Sequence, residues 1–345
     1  RNGGRESQTT VPVMDYLTYG YDANEKNKLI KVTDATTNTD GFKDGDDTTE
    51  EYSYDGNGNM TRDDNKKILN IAYNHLNLPT QIVFQRGADI PSISYLYTAT
   101  GKKVAKTVNI ASRNTINYTV DYLDGYQYES GKLLFFPTAE GYVKYTVDAK
   151  KLFDYVFNYT DHLGNIRLSY AINPATGLLK KMEENNYYPF GLKHGSYNTE
   201  QFVIVPRPEF EADPAVSDKY MTQKEEYFTG VLELPPVRDL VPEFYSGYNY
   251  KYNGKELQDE LGLNMYAMDM RQYDPAIGRW VVQDPVVHFN YSPYSAFDNN
   301  PVYWADPSGA DSQTDMFGRN KFDSFTGMYI TPMDRTAEDP KKKTT

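Results

Sequence analysis

The sequence predicts a mainly β protein built from antiparallel hairpins, and two observations carry that prediction. Tyrosine is in large excess, with 32 Tyr against 16 Phe and 2 Trp in 345 residues. Tyr favours strands and pairs well across them, and its hydroxyl needs a partner or water, which suits a sheet with accessible faces. A short unit with the composition of a hairpin turn also recurs along the chain. The length is sufficient to bury a sizeable core.

The recurring unit is an aromatic-x-Tyr stretch, followed by Asp, Asn or Thr, a few Gly and Asn residues, and a β-branched stretch. Copies begin at residues 19–22, 52–55, 72–74 and 95–98. The Asp or Asn side chain can accept hydrogen bonds from the backbone two residues on, and Gly supplies positive φ. Each unit is therefore predicted to form strand, turn, strand. Residues 1–195 are predicted to form a strip of such hairpins.

Composition excludes several functional classes. The formal net charge is −12 and the pI is near 4.9, which argues against a nucleic-acid partner. Cysteine is absent, so thiolate metal sites and disulfides are excluded. No apolar run has the length of a membrane span, and residues 1–5 show no signal-peptide pattern. We expect no cofactor and no metal site, because the acidic loop 40–47 lacks the closing Glu of a calcium loop.

Two segments depart from the hairpin pattern. Residues 196–246 are acidic and repeatedly interrupted by Pro, with one plausible helix over 217–228, and are predicted to form a surface insertion. Residues 310–345 are polar and are predicted to be a short variable tail, too short for an enzymatic domain.

Residues 247–309 carry a dense series of motifs. They are Tyr252, Asn253, Gly254, Lys255 and Glu256; Arg271, Tyr273, Asp274, Pro275, Gly278, Arg279 and Trp280; Asp284 and Pro285; Asn299, Asn300 and Pro301; and Asp306, Pro307 and Gly309. A longer version of the recurring turn lies upstream, at Asp161, His162, Leu163, Gly164, Asn165 and Arg167.

These motifs, in this order and at these short spacings, closely resemble the Rhs-associated core domain, and the recurring units resemble the YD repeats that precede it. The resemblance implies an antiparallel hairpin strip that curls into a partial Rhs-type shell and is closed by the core module at residues 247–309. In longer members the shell encloses a variable carboxyl-terminal segment, often a toxin. The implied role is that of a secreted or surface-exposed bacterial protein that encloses or docks another protein, such as an effector, a shell partner or a larger secretion assembly.

In toxin-complex relatives the core module is an aspartic autoprotease, a chemistry that needs two nearby carboxylates sharing a proton. Asp284 matches the catalytic aspartate, and Asp298 is the candidate for the second acid. Three positions depart from cleaving members: Gln283 replaces a common Arg, Ser295 occupies the second acid's position, and Ala310 replaces the Leu before the cut. These departures favour a structural role over self-cleavage.

Two further interpretations stay open. Asp-Pro and Asn-Pro pairs also initiate turns, and this role is compatible with chemistry at Asp274 and Asp306. Trp280, Tyr303 and Trp304 could form a stacking platform for glycans, as in a cell-surface adhesin, although packing inside the module is favoured.

Overall fold

The computed structural model describes residues 13–36, 38, 40–45, 48–110, 117–148, 151–172, 177–194, 248–286, 291–310, 312, 321–323 and 328–330. The insertion predicted at 196–246, with its helix at 217–228, lies outside these residues, as does most of the tail. Across the described ranges the strands form four antiparallel sheets. Within them, no helix has the length and apolar character needed to cross a membrane.

The largest sheet has 13 strands, and each strand pairs with the next one along the chain. A separate hairpin precedes it, made of β1 (Leu17–Tyr21) and β2 (Leu29–Asp34). The strands of the large sheet are β3 (Tyr52–Tyr54), β4 (Met60–Asp63), β5 (Ile68–Tyr73), β6 (Pro79–Phe84), β7 (Ser92–Tyr97), β8 (Lys103–Asn109), β9 (Tyr118–Leu123), β10 (Tyr126–Glu129), β11 (Lys132–Thr138), β12 (Gly141–Asp148), β13 (Lys151–Thr160), β14 (Ile166–Ile172) and β15 (Leu179–Glu184).

A second, four-stranded sheet belongs to the carboxyl-terminal module, by which we mean residues 248–286 and 291–310. Its strands are β16 (Glu256–Gln258), β17 (Met265–Ala267), β18 (Gln272–Asp274) and β19 (Arg279–Trp280). A last hairpin pairs β20 (Lys321–Asp323) with β21 (Met328–Ile330). The mainly β, antiparallel fold predicted from the sequence is confirmed.

The turns follow the hydrogen-bond pattern expected of the recurring unit. Asp55 Oδ1 accepts bonds from the amides of Asn57 at 2.9 Å and Asn59 at 2.8 Å. Asp161 accepts the same two bonds, from the amides two and four residues on, both at 3.0 Å. Gly58 takes a φ of +78°, in the left-handed region that Gly enters without a steric penalty. The strand–turn–strand prediction is confirmed at both places.

The main hydrophobic core lies between one face of the large sheet and the carboxyl-terminal module. We call this side of the sheet the covered face. Strand alternation places every second side chain on it, and apolar side chains from both layers meet there. They include Ile71, Ile82, Ile93 and Val108 from the sheet and Leu263, Met265, Ile277 and Val281 from the module.

Tyrosine hydroxyls inside the module bond to a single loop of the strip. Tyr252 donates to the carbonyl of Pro189 at 3.0 Å, and Tyr273 donates to that of Phe190 at 2.7 Å. Tyr266 donates to the carbonyl of the next residue, Gly191, at 3.1 Å. A Phe at these positions would bury the same ring and leave a carbonyl without its donor. The Tyr excess is therefore explained here by burial with a satisfied hydroxyl.

A buried ionic group also joins the two layers. Glu256 of β16 accepts bonds from Lys103 Nζ at 2.5 Å, Lys106 Nζ at 2.9 Å and the Tyr122 hydroxyl at 2.8 Å. Burial by itself would raise the pKa of Glu256, but the ammonium groups of Lys103 and Lys106 hold it well below its usual range. The module is thus tied to β8 and β9 by charge as well as by apolar contact.

Asp63, at the end of β4, is buried beside the module. Its Oδ1 accepts the amide of Lys66 at 3.0 Å, and Lys66 Nζ lies 3.3 Å from Asp274 Oδ2. Burial raises the pKa of Asp63 to about 7, Lys66 opposes that rise, and the carboxylate of Asp274 adds to it. Above pH 7, where Asp63 ionises, two carboxylates therefore face one Lys at this interface.

Asp63→Asn is expected to flatten the pH dependence of stability. The folded state keeps the Asp63 proton up to pH 7, whereas the unfolded state loses it near pH 4, so folding loses stability as the pH rises through this window. Between pH 5 and pH 8 the loss is about 3 kcal/mol, and the Asn variant should lack it. Urea unfolding at the two pH values measures the difference. Asp89→Asn, in an exposed turn, is the control, and an unchanged slope in Asp63→Asn would contradict the assignment.

Candidate functional site

Three motifs that are far apart in sequence meet in one buried chain of hydrogen bonds. Asn165 Oδ1 accepts the backbone amide of Asn253 at 2.8 Å and its Nδ2 at 3.1 Å. Asn253 Oδ1 in turn accepts the amide of Asp306 at 3.1 Å. Asn253 takes a φ of +50°, a conformation that Asn tolerates better than most residues. The motifs at 161–167, 252–256 and 306–309 are thereby brought together.

Arg271 is the charged centre of this cluster. Its side chain is fully buried, with Nη1 2.9 Å from Asp284 Oδ2 and Nη2 3.3 Å from Asp306 Oδ2. Its Nε donates to the carbonyl of Gly309 at 2.5 Å, and the guanidinium lies 4.0 Å from the Trp280 ring. Burial lowers the pKa of Arg271, and the two carboxylates oppose that effect. The planar fork holds two loops and the start of the tail in one place.

Asp284 and Asp306 each accept backbone hydrogen bonds within a turn and also pair with the charge of Arg271. Asp306 Oδ1 accepts the amides of Gly309 at 2.8 Å and Ala310 at 3.0 Å, while Oδ2 faces Arg271. Asp284 Oδ1 accepts the amide of Val286 at 2.8 Å, and its Oδ2 also faces Arg271. The turn role and the charge role are therefore held by different oxygens of the same side chain.

The second candidate acid lies in a tight turn. Phe297–Asn299 forms a short 3₁₀ turn, in which Asp298 has a φ of +48° and Asn299 a φ of +54°. The carbonyl of Asn300 accepts the amide of Trp304 at 3.0 Å and closes the next turn. Asp and Asn tolerate this left-handed backbone better than most residues. The turn presents Asp298 toward the Arg271 cluster.

Asp284 and Asp298 line the same small cavity, together with Ala310. Its volume is about 10 Å³, close to the space that one water molecule needs. The structure thus brings both predicted acids to the segment predicted for cleavage. Gln283 does not take part in it, because its amide Nε2 lies 3.5 Å from the Tyr294 hydroxyl.

Other residues of the predicted motifs lie around this cluster. His162 Nε2 is 3.1 Å from the carbonyl oxygen of Val302, and Arg167 packs over a tyrosine ring 5.6 Å away. Lys255 pairs with Asp269 at 2.6 Å at the surface. These contacts join the 161–167 turn to the module without entering the cavity.

Asp274 and Arg279 face away from the cluster. Asp274 pairs with Lys66 of the large sheet, and Arg279 contacts Tyr21 of β1. Gly278 between them has a φ of +68°, and a Cβ there would lie 3.1 Å from the Phe190 ring. This turn belongs to the contact between module and strip.

The three rings considered for glycan stacking do not share a surface. Trp280 is buried, with its ring 5.3 Å from Tyr273 and 5.9 Å from Phe297. Tyr303 is about half exposed and meets Trp304 edge to face at 4.5 Å. The platform is not formed, and packing within the module accounts for Trp280.

Sequence reasoning missed the role of Lys106. It is buried and lies 2.9 Å from Glu256 and close to Glu260. The available signal is its place in β8, where it shares the covered face with Val108 two residues on. A Lys at an apolar alternation position implies a buried acidic partner.

The face of the large sheet opposite the module carries a second notable feature, which we call the aromatic face. Its members are Tyr126, Phe136, Tyr145, Phe153, Tyr155, Phe157, Tyr159 and Tyr170. Cross-strand pairing places them together, with ring centres 5.1 Å apart for Tyr126 and Phe136 and 5.6 Å apart for Phe157 and Tyr170. Tyr155 and Tyr159 are 62% and 65% exposed. Large exposed apolar surfaces of this kind mark interaction sites.

The same face is polar on the earlier strands. Gln81, Ser94, Thr107 and Thr119 are aligned in register across β6 to β9. The cluster of aromatic side chains therefore begins at β10, whereas the earlier strands carry polar residues and isolated exposed leucines such as Leu96.

Asn253→Ala is expected to lower the free energy of unfolding by about 3 kcal/mol, because the buried amide of Asp306 loses its acceptor, Asn165 Oδ1 loses one of its two donors, and Ala is strained at a φ of +50°. Chemical unfolding measures this loss. The control Asn57→Ala, at an exposed turn position, should change stability by less than about 0.5 kcal/mol. Equal effects of the two variants would show that the buried chain does not hold the motifs together.

Comparison with known proteins gives partial likenesses. No protein-family model matches the chain. A tRNA3(Ser)-specific nuclease WapA of Bacillus spizizenii is 26% identical over 312 residues, which is 89% of this chain and 10% of that protein. Salivary gland surface protein 1 of Aedes aegypti is 42% identical over 60 residues, 17% of this chain and 2% of that protein.

Among solved structures, the crystal structure of TcdB2-TccC3 superposes with a TM-score of 0.54 at 18% identity, covering 85% of this chain and 13% of that one. The chain thus spans only a small part of the length of each protein it matches. At this identity the structural likeness shows the fold alone, a mainly β architecture of antiparallel sheets.

Proposed function

We propose that this chain is a segment of an Rhs-type β-shell that holds another polypeptide against its aromatic face, as part of a secreted or cell-surface, toxin-related assembly. The aromatic face is the observation that carries the proposal. The carboxyl-terminal module acts as a plug that covers the opposite face of the sheet and stiffens it.

The chemistry of the aromatic face suits an unfolded or partly folded partner. Rings such as those of Tyr155 and Tyr159 offer apolar area with a polar tip, and they lose little conformational entropy on contact. They have no sequence-specific geometry, so many apolar side chains can pack on them. A folded protein with a polar surface would find few partners there.

The comparisons support a protein partner of this kind. TcdB2-TccC3 is by its name a complex of two proteins, and WapA is named as a nuclease that is far longer than this chain. An effector segment in an unfolded or partly folded state is therefore the proposed occupant. Glycans have no such support and are not proposed.

The triple variant Phe153→Ser, Tyr155→Ser, Tyr159→Ser tests the docking surface. The probe is a reduced and carboxymethylated polypeptide, which cannot fold, and its affinity is measured by fluorescence anisotropy. We expect at least tenfold weaker binding, because three exposed anchors are lost. Leu96→Ser, an exposed apolar residue on the polar half of the same face, is the matched control and should leave affinity unchanged.

The native, folded form of the same polypeptide should not bind. If folded and unfolded forms bind alike, or if the triple variant binds as well as the unmodified chain, the aromatic face is not the docking surface.

Self-cleavage is a second candidate function, favoured by the cavity that Asp284, Asp298 and Ala310 share. In this reaction Asp284, ion-paired with Arg271, accepts a proton from water, which attacks the carbonyl carbon of Ala310. Asp298 serves as the acid that gives a proton to the departing amine of Asp311. The peptide bond breaks, and the new carboxyl group of Ala310 passes its remaining proton to that amine, which leaves a carboxylate on Ala310 and an ammonium group on Asp311.

Intact-mass analysis of the purified chain tests this reaction. A cleaving chain gives two fragments that meet at Ala310 and Asp311, and both Asp284→Asn and Asp298→Asn should abolish the cut. Asp269→Asn, an exposed carboxylate paired with Lys255, should cut as the unmodified chain does. A single uncut species after prolonged incubation would eliminate the reaction and leave docking as the function.

A further inference from the structure

A cavity of about 330 Å³ lies between β1 of the first hairpin and the β18–β19 turn of the module. This volume is at the lower end of small-ligand sites. Apolar and polar groups contribute almost equally to its exposed wall. The lining residues are Leu17, Tyr19, Tyr21, Phe190, Ile277 and Gly278, with Arg279, Ser295 and Asn299.

Arg279 is the single cation among these lining residues, and its charge is not balanced. Its Nη2 donates to the Tyr21 hydroxyl, and the guanidinium lies 5.0 Å from the Tyr21 ring and 5.9 Å from the Tyr19 ring. Its Nη1 is buried and has no hydrogen-bond partner. Within the described part of the chain, no carboxylate forms an ion pair with it.

Arg271 and Arg279 differ in their carboxylate partners. Arg271 is fully buried and has the carboxylates of Asp284 and Asp306 within 3.3 Å, whereas Arg279 is only partly buried and its Nη1 is the enclosed atom. An enclosed N–H donor without an acceptor costs free energy, so a ligand that brings an acceptor to Arg279 Nη1 would be favoured. A phenol oxygen and two ring faces are weaker partners for a guanidinium than a carboxylate is.

We propose that this cavity binds a carboxylate carried on an aromatic or aliphatic body of roughly dipeptide size. Both Nη atoms of Arg279 bind the two carboxylate oxygens in the bidentate geometry that this fork favours. The body of the ligand packs between the rings of Tyr19, Tyr21 and Phe190. This site is separate from the docking surface, and it adjoins the Asp284 cavity at Ser295, which lines both.

Tyr21 controls access to the fork. Its side chain is 38% exposed, and its hydroxyl occupies the acceptor position on Nη2. An incoming carboxylate displaces that hydroxyl from Nη2 and also binds Nη1. The Tyr21 hydroxyl therefore competes with the ligand, while the ring remains part of the wall.

Two peptide sources can supply such a carboxylate, the end of a chain or an acidic side chain. N-acetyl-phenylalanine represents the first, and N-acetyl-phenylalaninamide is its uncharged match. The α-amide of N-acetyl-phenylalanyl-glutamic acid, whose only free carboxyl is the γ-carboxyl of its side chain, represents the second. Ligand-observed NMR or calorimetry gives each affinity.

We expect at least one of the two acids to bind at least tenfold more tightly than the uncharged amide, and the stronger acid identifies the source. Arg279→Met should reduce that ratio to about one. Tyr21→Phe should bind the acid several-fold more tightly, because the competing hydroxyl is gone and the ring stays. Arg62→Met, which removes the same charge from a surface arginine paired with Asp64, should behave as the unmodified chain does.

Equal affinities of acids and amide, or no binding of either acid at millimolar concentration, would overturn the proposal. So would a folded Arg279→Met variant that still prefers the acid. If Arg279→Met does not fold, the ratio in the unmodified chain and the change in Tyr21→Phe decide the question. The aromatic-face variant at residues 153, 155 and 159 should keep the acid preference, which separates this site from the docking function.

Discussion

The carboxyl-terminal module depends on the burial of one charge, that of Arg271. A guanidinium cannot be taken out of water unless carboxylates and further hydrogen bonds compensate for its lost hydration. Asp284 and Asp306 supply those carboxylates from two different loops. The side chain of Asn253 holds Asp306 in place by accepting a hydrogen bond from the backbone amide of Asp306. Removing one partner would leave the other charges buried and unpaired. The burial of Arg271 therefore requires Asp284, Asp306 and Asn253 together.

The two faces of the large sheet lie in different environments, because the module covers one face and the other is exposed. On the covered face, apolar side chains and the ionic group around Glu256 hold the module. On the opposite face, the strip changes from a polar row on β6 to β9 to the aromatic face that begins at β10. A sheet packed on one side keeps its shape without a partner, so the exposed rings stay available for contact. The face that supports the module and the face proposed for docking are in this way separated across one layer.

Much of the fold is predictable from the sequence because its turns are local. The side chain of Asp55 bonds to amides only two and four residues away, so the motif itself contains both partners of each bond. The candidate site was only partly predictable. Asp284 and Asp298 are recognisable as acids in motifs, but spacing does not reveal that Ala310 shares their cavity or that Gln283 contacts Tyr294 instead. Those facts depend on how three loops fold over Arg271.

By itself, the sequence determined the strands, their turns and the identity of the motifs, since alternation and Asx hydrogen bonds involve neighbouring residues. The tertiary structure decided which face of the strip is covered, which acidic partner Lys106 receives, and that Arg271 is compensated while Arg279 is not. Some of these contacts join groups that are 150 and 258 residues apart in the chain. Burial makes such meetings energetically decisive, because a charge removed from water must find its partner wherever the chain has placed it.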